Sequence, residues 1–151
     1  FLEHLAELIN ALEACIRPTH RTRIGVRYIN RIHEDENLAA VPDLFRPEVL
    51  GLMSSPALAS QVGQILTEAH MIAPEGKLLA RWGLLGANST YEPMMVAPRA
   101  ENSWMFDLDA FCEARKVFTS AEIMKDATAL ADRACTFFQW AITDKFLKHF
   151  E

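Results

Sequence analysis

Arg21-Thr22-Arg23-Ile24-Gly25-Val26-Arg27-Tyr28-Ile29-Asn30-Arg31-Ile32 holds four of the chain's ten arginines and alternates with Ile24, Val26, Tyr28 and Ile32. A period of two predicts a strand with one apolar and one cationic face. Arg23, Arg27 and Arg31 then point the same way, beside the bare backbone of Gly25. Spacing of four also occurs on helices, so the arginines alone do not decide. The glycine and the β-branched, aromatic run favour a strand over about residues 21–33.

Upstream, Phe1, Leu2, Leu5, Leu8, Ile9, Leu12 and Ile16 recur every three or four residues, with Glu3, Glu7 and Glu13 largely between them. That pattern predicts an amphipathic helix over residues 1–16, stopped by Pro18. Downstream, His33 to Asn37 reads as a polar turn or loop. Pro42 and Pro47 frame a short helical segment through Leu52, with Asp43 near its N-terminus. A strand is expected over roughly residues 60–72, a turn at Pro74-Glu75-Gly76, and a second strand from Lys77 to Leu85, together a hairpin.

Gly86 to Ala100 lacks a clean period and is the longest expected loop, of a size that is often functional or mobile. Residues 102–111 return to alternation, with Trp104, Phe106 and Leu108 on one side and Met105, Asp107 and Asp109 on the other. Thr119-Ser120-Ala121-Glu122 has the form of a capping box opening a long helix, interrupted at Thr143-Asp144-Lys145. The expected fold class is α+β: a mainly antiparallel sheet of about four strands, one face covered by the N-terminal and long C-terminal helices.

Half of the 151 residues are apolar, enough to bury a substantial core in one domain. The net charge of −5 argues against non-specific nucleic-acid binding, although a local basic strip can coexist with it. Arginines outnumber lysines two to one, which favours forked, fixed pairing over a solvated positive surface. Cys15, Cys112 and Cys135 are far apart, odd in number and without metal spacing, and read as reduced residues of a cytoplasmic protein. No apolar run approaches the length of a membrane span, and no signal-peptide pattern is present. The chain starts at Phe1 directly in a helical pattern, so residues 1–151 are expected to be one domain from the C-terminal part of a longer protein.

Assembled, the strands give an apolar face of Ile24, Val26, Tyr28, Ile32, Leu78, Trp82, Leu84, Trp104, Phe106 and Leu108. The other face carries Arg23, Arg27, Arg31, Lys77, Arg81, Asp107 and Asp109, joined by Glu68 and His70. Such a face closes only if its charges pair. It can be a solvated sheet surface, an arginine–aspartate contact to another domain or chain, or a site for phosphate, nucleotide or nucleic acid. Tyr28 alternates away from the arginines, which removes the stacking partner a nucleic acid would use. Asp107-Leu108-Asp109 could chelate magnesium or calcium, but the arginine row supplies another counter-charge, and ion pairing is the expectation. Asn30 falls on the apolar side and there requires a hydrogen-bond partner.

The five histidines make no metal or acid–base motif, and no GxxxxGK[ST], GxGxxG or GxSxG occurs. No catalytic residue, metal ligand or cofactor is therefore assigned.

Two stretches taken together resemble a sporadically distributed prokaryotic protein family. They are Thr22 to Ile32, and Phe106-Asp107-Leu108-Asp109 followed by Phe137 to Lys145. Members carry R-I-G-L-R-Y-I-N-R-I, L-D-x-D and I-T-D-K. Here Val26 replaces the usual leucine, Asp107 and Asp109 are in place, and Ile142 to Lys145 match. The likeness spans essentially the whole chain. It implies a longer parent protein and a prokaryotic source, and it brings no catalytic residue.

The expectation is thus a cytoplasmic protein-association module whose contact uses Arg23, Arg27, Arg31, Arg81, Asp107 and Asp109. Its partner would be an upstream domain of the same protein or another protein, with no membrane and no nucleic acid. The alternative is a phosphate- or nucleotide-ligand-binding domain, or an enzyme, using the arginine row with a divalent metal.

Overall fold

The computed structural model describes residues 2–151. Its elements in chain order are α1 (Leu2–Cys15), β1 (His20–Arg21), β2 (Ile24–Ile32), α2 (Asp35–Leu44) and α3 (Pro47–Leu50). They continue with β3 (Thr67–Ala73), β4 (Gly76–Leu85), β5 (Ser103–Cys112), β6 (Lys116–Val117), α4 (Ser120–Ala141) and α5 (Asp144–Phe150). Four strands form an antiparallel sheet in the order β2-β5-β4-β3, and β1 and β6 form a separate antiparallel pair. The fold is α+β, as expected.

Several elements follow directly from the residues. α1 ends where Arg17 takes φ 52 and its amide donates to the Leu12 carbonyl at 3.2 Å; Pro18 cannot continue the helix. The Pro74-Glu75 turn joins β3 to β4 as a hairpin. At the start of α4, Thr119 Oγ1 accepts from the Glu122 amide at 3.4 Å, one half of a capping box.

Other expectations are corrected. Residues 35–37 are the first turn of α2 and not a loop. Asp35 and Glu36 complement the positive end of the helix, while Val41 and Leu44 are buried. Pro42 lies inside that helix, close enough to its end that few backbone bonds are at stake. The helical segment after Pro47 stops at Leu50, and Gly51–Ser54 tightens into a 3₁₀ turn. The strand expected from residue 60 starts only at Thr67; Ala59–Gln61 is another 3₁₀ turn. The Ile65 amide nonetheless donates to the Leu84 carbonyl at 2.9 Å, so this segment approaches β4 without joining the sheet as a strand.

Burial of the strands departs from simple alternation. β5 lies inside the sheet, and Trp104, Met105, Phe106, Asp107 and Leu108 are each at most 2 % exposed. A strand covered on both faces cannot show a wet side. β2 lies at the sheet edge, and its apolar side opens after Val26: Tyr28 and Asn30 are exposed. Asn30 therefore has access to water.

The contacts divide the chain into two compact units. The first comprises the chain up to Tyr28, His70–Leu79 and Leu108–Thr136. Its core contains Val26, Leu78, Leu108 and Ala110 from the strands, and Ile123, Ala127, Leu130 and Ala134 at helical spacing on α4. The Glu13 carboxylate of α1 accepts from the amide and hydroxyl of Ser120, tying α1 to the start of α4.

The second unit comprises Ile29–Ala69, Ala80–Asp107 and Phe137–Glu151. Phe45 is its hub, with ring centroids 5.4 Å from Trp104, 5.7 Å from Phe106 and 5.5 Å from Phe146. Phe137 and Phe138 pack on Phe106 at 6.0 and 5.6 Å. Trp82 Nε1 donates to the Val49 carbonyl at 2.8 Å, satisfying the polar atom of a buried indole.

Candidate functional site

The charged residues singled out from sequence fall into two clusters, one in each unit. In the first unit, Arg23 Nη2 donates to Asp109 Oδ2 at 3.1 Å. The Arg23 guanidinium also lies 4.7 Å from the centroid of the Phe111 ring, and Lys77 Nζ lies 5.8 Å from it. Lys77 pairs with Glu113 at 3.2 Å. An aromatic face attracts cations through its quadrupole, so Phe111 carries two of them.

Gly25 gives this cluster its room. A Cβ there would stand 3.0 Å from Arg23 Nη1 and 3.3 Å from Phe111 Cβ. The bare backbone noted in the sequence thus lets Arg23 fold towards Phe111. The side chains of Arg23 and Lys77 remain 49 % and 56 % exposed. Ile72 of β3 is 85 % exposed, and the two-residue turn brings it alongside Lys77. Arg27 is half-buried in β2 and is engaged with a partner of its own.

The second cluster is built differently. Arg81 Nε donates to Glu68 Oε2 at 2.6 Å, and its Nη1 lies 3.5 Å from Glu92 and 4.0 Å from Asp107. The Tyr91 hydroxyl donates to Asp107 Oδ2 at 2.7 Å, and the Tyr91 ring lies 5.5 Å from the Arg81 guanidinium. Asp107 is almost fully buried, so its charge is tolerable only with such partners. Arg31 Nε donates to Ser103 Oγ at 2.9 Å, and its Nη1 donates to the Ala97 carbonyl. Burial, reinforced by Arg99, holds the Arg31 pKa below the ordinary arginine value.

These contacts explain the long loop. Tyr91 packs on Leu85, Val96 and Met105, and Thr90 Oγ1 donates to the Val96 carbonyl. Residues 86–102 are therefore tied to the strands of the second unit, and Arg31, Arg81 and Asp107 anchor them.

Asp107 and Asp109 are two apart on β5 yet serve different arginines, Arg81 and Arg23. No group of three His, Cys, Asp or Glu side chains suited to a metal ion occurs among the described residues. No helix is long and apolar enough to cross a membrane among the same residues. Cys15 and Cys135 are exposed free thiols, and Cys112 is a half-buried one.

Reading by residue type left Phe111 out of the site. The available signal was its alternation with Asp109, which places it on the charged side of β5. Arg21 was also left out; it is buried and paired with Asp126, which Lys116 approaches at 2.9 Å. No sequence signal marks that arginine as more buried than its neighbours, because its cover comes from segments distant in the chain.

Comparison of the chain with protein-family models, curated proteins and solved structures finds no match.

Proposed function

We propose that the chain works by protein association, through the stripe formed by Ile72, Lys77, Phe111 and Arg23 in its first unit. The observation that carries this reading is the pair of half-exposed cations held over one aromatic ring. Arg23 and Lys77 are restrained by the ring and by Asp109 and Glu113, so a partner would have less side-chain freedom to remove on binding. Ile72 supplies an exposed aliphatic surface next to them.

A polypeptide with carboxylates and an aliphatic side chain matches that stripe. The proposed partner is an upstream part of the same protein, in line with the resemblance of residues 22–32, 106–109 and 142–145 to the sporadic prokaryotic family. Arg23 and Asp109 are thus kept in the contact, together with Arg27 of the same unit. Arg31, Arg81 and Asp107 are given the role of holding the loop. Arg81, Asp107 and the Nε and Nη1 of Arg31 are directed at Glu68, Glu92, Ser103, Ala97 and Tyr91, which speaks against the reading of the arginine row as a phosphate or nucleotide site, while Arg31 Nη2 is buried with no hydrogen-bond partner among the described residues.

Calorimetric titration of the chain with its separately produced upstream polypeptide tests this. Saturable binding is expected, weakened at least about tenfold by the double variant Arg23→Glu and Lys77→Glu, the loss expected when rim attractions become repulsions. No binding, or equal affinity for the variant, would overturn the proposal.

A further inference from the structure

β3 closes one side of the four-stranded sheet, and among the described residues no strand lies beyond it. None of its residues is buried, including the small Ala69 and Ala73, which a covering element would hide. The hairpin sets the direction of its backbone groups. The two-residue turn places Ala73 opposite Gly76, and the Ile65 amide, donating to the Leu84 carbonyl at 2.9 Å, keeps the same register beyond the far end of the strand. Hydrogen-bonding direction alternates along an antiparallel strand, so Thr67, Ala69, Met71 and Ala73 turn their amides and carbonyls to β4. Glu68, His70 and Ile72 turn theirs outward. Such an edge is a template for another strand unless lysine, proline or a bulge guards it, and β3 contains neither lysine nor proline.

The side chains on this edge complement themselves. In antiparallel pairing about a two-fold axis at Ala69, Glu68 of one copy stands opposite His70 of the other, and the symmetry repeats the pair. Leu66 and Ile72, 37 % and 85 % exposed, stand opposite each other in the same way. These pairs join residues whose backbone groups turn outward, so the register suits the main chain as well as the side chains. An axis at Glu68 would bring two carboxylates together, and an axis at His70 would set Glu68 against Ile72. Glu68 already accepts from Arg81 through Oε2, and a carboxylate has lone pairs left for an imidazole N–H. β2, at the other edge, is less suited: its row of Arg23, Arg27 and Arg31 would meet the same row directly or diagonally.

We propose that β3 pairs with β3 of a second copy of this chain in the register centred on Ala69, joining two sheets edge to edge in a homodimer. This goes beyond the association stripe, with which it shares Ile72, because it rests on the strand edge and needs no other polypeptide.

Sedimentation velocity of the intact chain alone tests it, so that its outcome is separate from the titration with the upstream polypeptide. A monomer–dimer equilibrium at submillimolar concentration is expected. Ile72→Lys, which puts a charge on an exposed edge position, should weaken dimerisation at least about tenfold, and so should His70→Glu, which sets like charges opposite each other twice. Arg23→Glu with Lys77→Glu, the variant chosen to disable the stripe, should leave the dimer unchanged. The register has its own test in a chain whose three native cysteines are replaced by alanine. Ala69→Cys should form an intermolecular disulfide readily, since residues on the axis stand about 4.5 Å apart between Cα atoms, within disulfide reach. His70→Cys should link far more slowly. The proposal is overturned if the chain stays monomeric, if neither Ile72→Lys nor His70→Glu weakens the dimer, or if His70→Cys links faster than Ala69→Cys.

Discussion

At the scale of single residues, burial separates side chains that the sequence presents as equivalent. Asp107 and Asp109 are the same residue type on the same side of one strand. Asp107 is 2 % exposed and depends on the Tyr91 hydroxyl, whereas Asp109 sits in an ion pair with a half-exposed arginine. Removing one donor from a buried carboxylate leaves part of its desolvation cost uncompensated, even with Arg81 nearby. Tyr91→Phe is therefore expected to destabilise the protein by about 1–3 kcal/mol, read as a lower urea midpoint at unchanged slope. The same logic divides the arginines. Alternation correctly placed Arg23 beside Gly25, and the glycine has a visible purpose in the room it leaves for the guanidinium. The partners of Arg31 and Arg81 were not legible. Ala97, Ser103 and Glu92 are remote in sequence and are set by how the loop returns.

Among the elements, the strands with clean alternation and turn signals were read most accurately. The β3–β4 hairpin, β5, the α4 start at Thr119 and the break at Thr143 all occur near their expected positions. Errors lie where an apolar run had no period of its own, as before β3, and where Pro42 was taken as a boundary although burial of Val41 and Leu44 carries the helix past it. Gly83 shows how such a segment is held. Its φ is 146, and a Cβ there would stand 2.0 Å from the Ile65 carbonyl oxygen. Gly83→Ala is expected to cost at least about 2 kcal/mol, since strained backbone and a clash with rigid backbone add. Gly63→Ala, with nothing within 4 Å of the added methyl, should change stability by less than about 1 kcal/mol. Thermal unfolding of the two variants side by side checks this contrast.

At the scale of the whole molecule, each compact unit is assembled from three separate stretches of chain. No continuous fragment contains either one. Deleting residues 137–151 removes Phe137, Phe138 and Phe146 from around Phe45 and Phe106 of the second unit. A loss of more than about 4 kcal/mol is expected, given typical costs for removing even one buried aromatic side chain. Amide dispersion should collapse first for Trp104 and Phe106, and a spectrum unchanged at those positions would contradict this packing. By itself, the sequence determined the α+β class, the strand character of residues 24–32, the hairpin and the long C-terminal helix. These depend on local period, capping and turn chemistry, which act over a few neighbouring residues. Only the tertiary structure decided which charges are buried, which arginines hold the loop, and that Arg21 is buried in an ion pair with Asp126. Those properties depend on desolvation by segments as far apart in the chain as Arg21 and Asp126, 105 residues, and no local pattern encodes that distance.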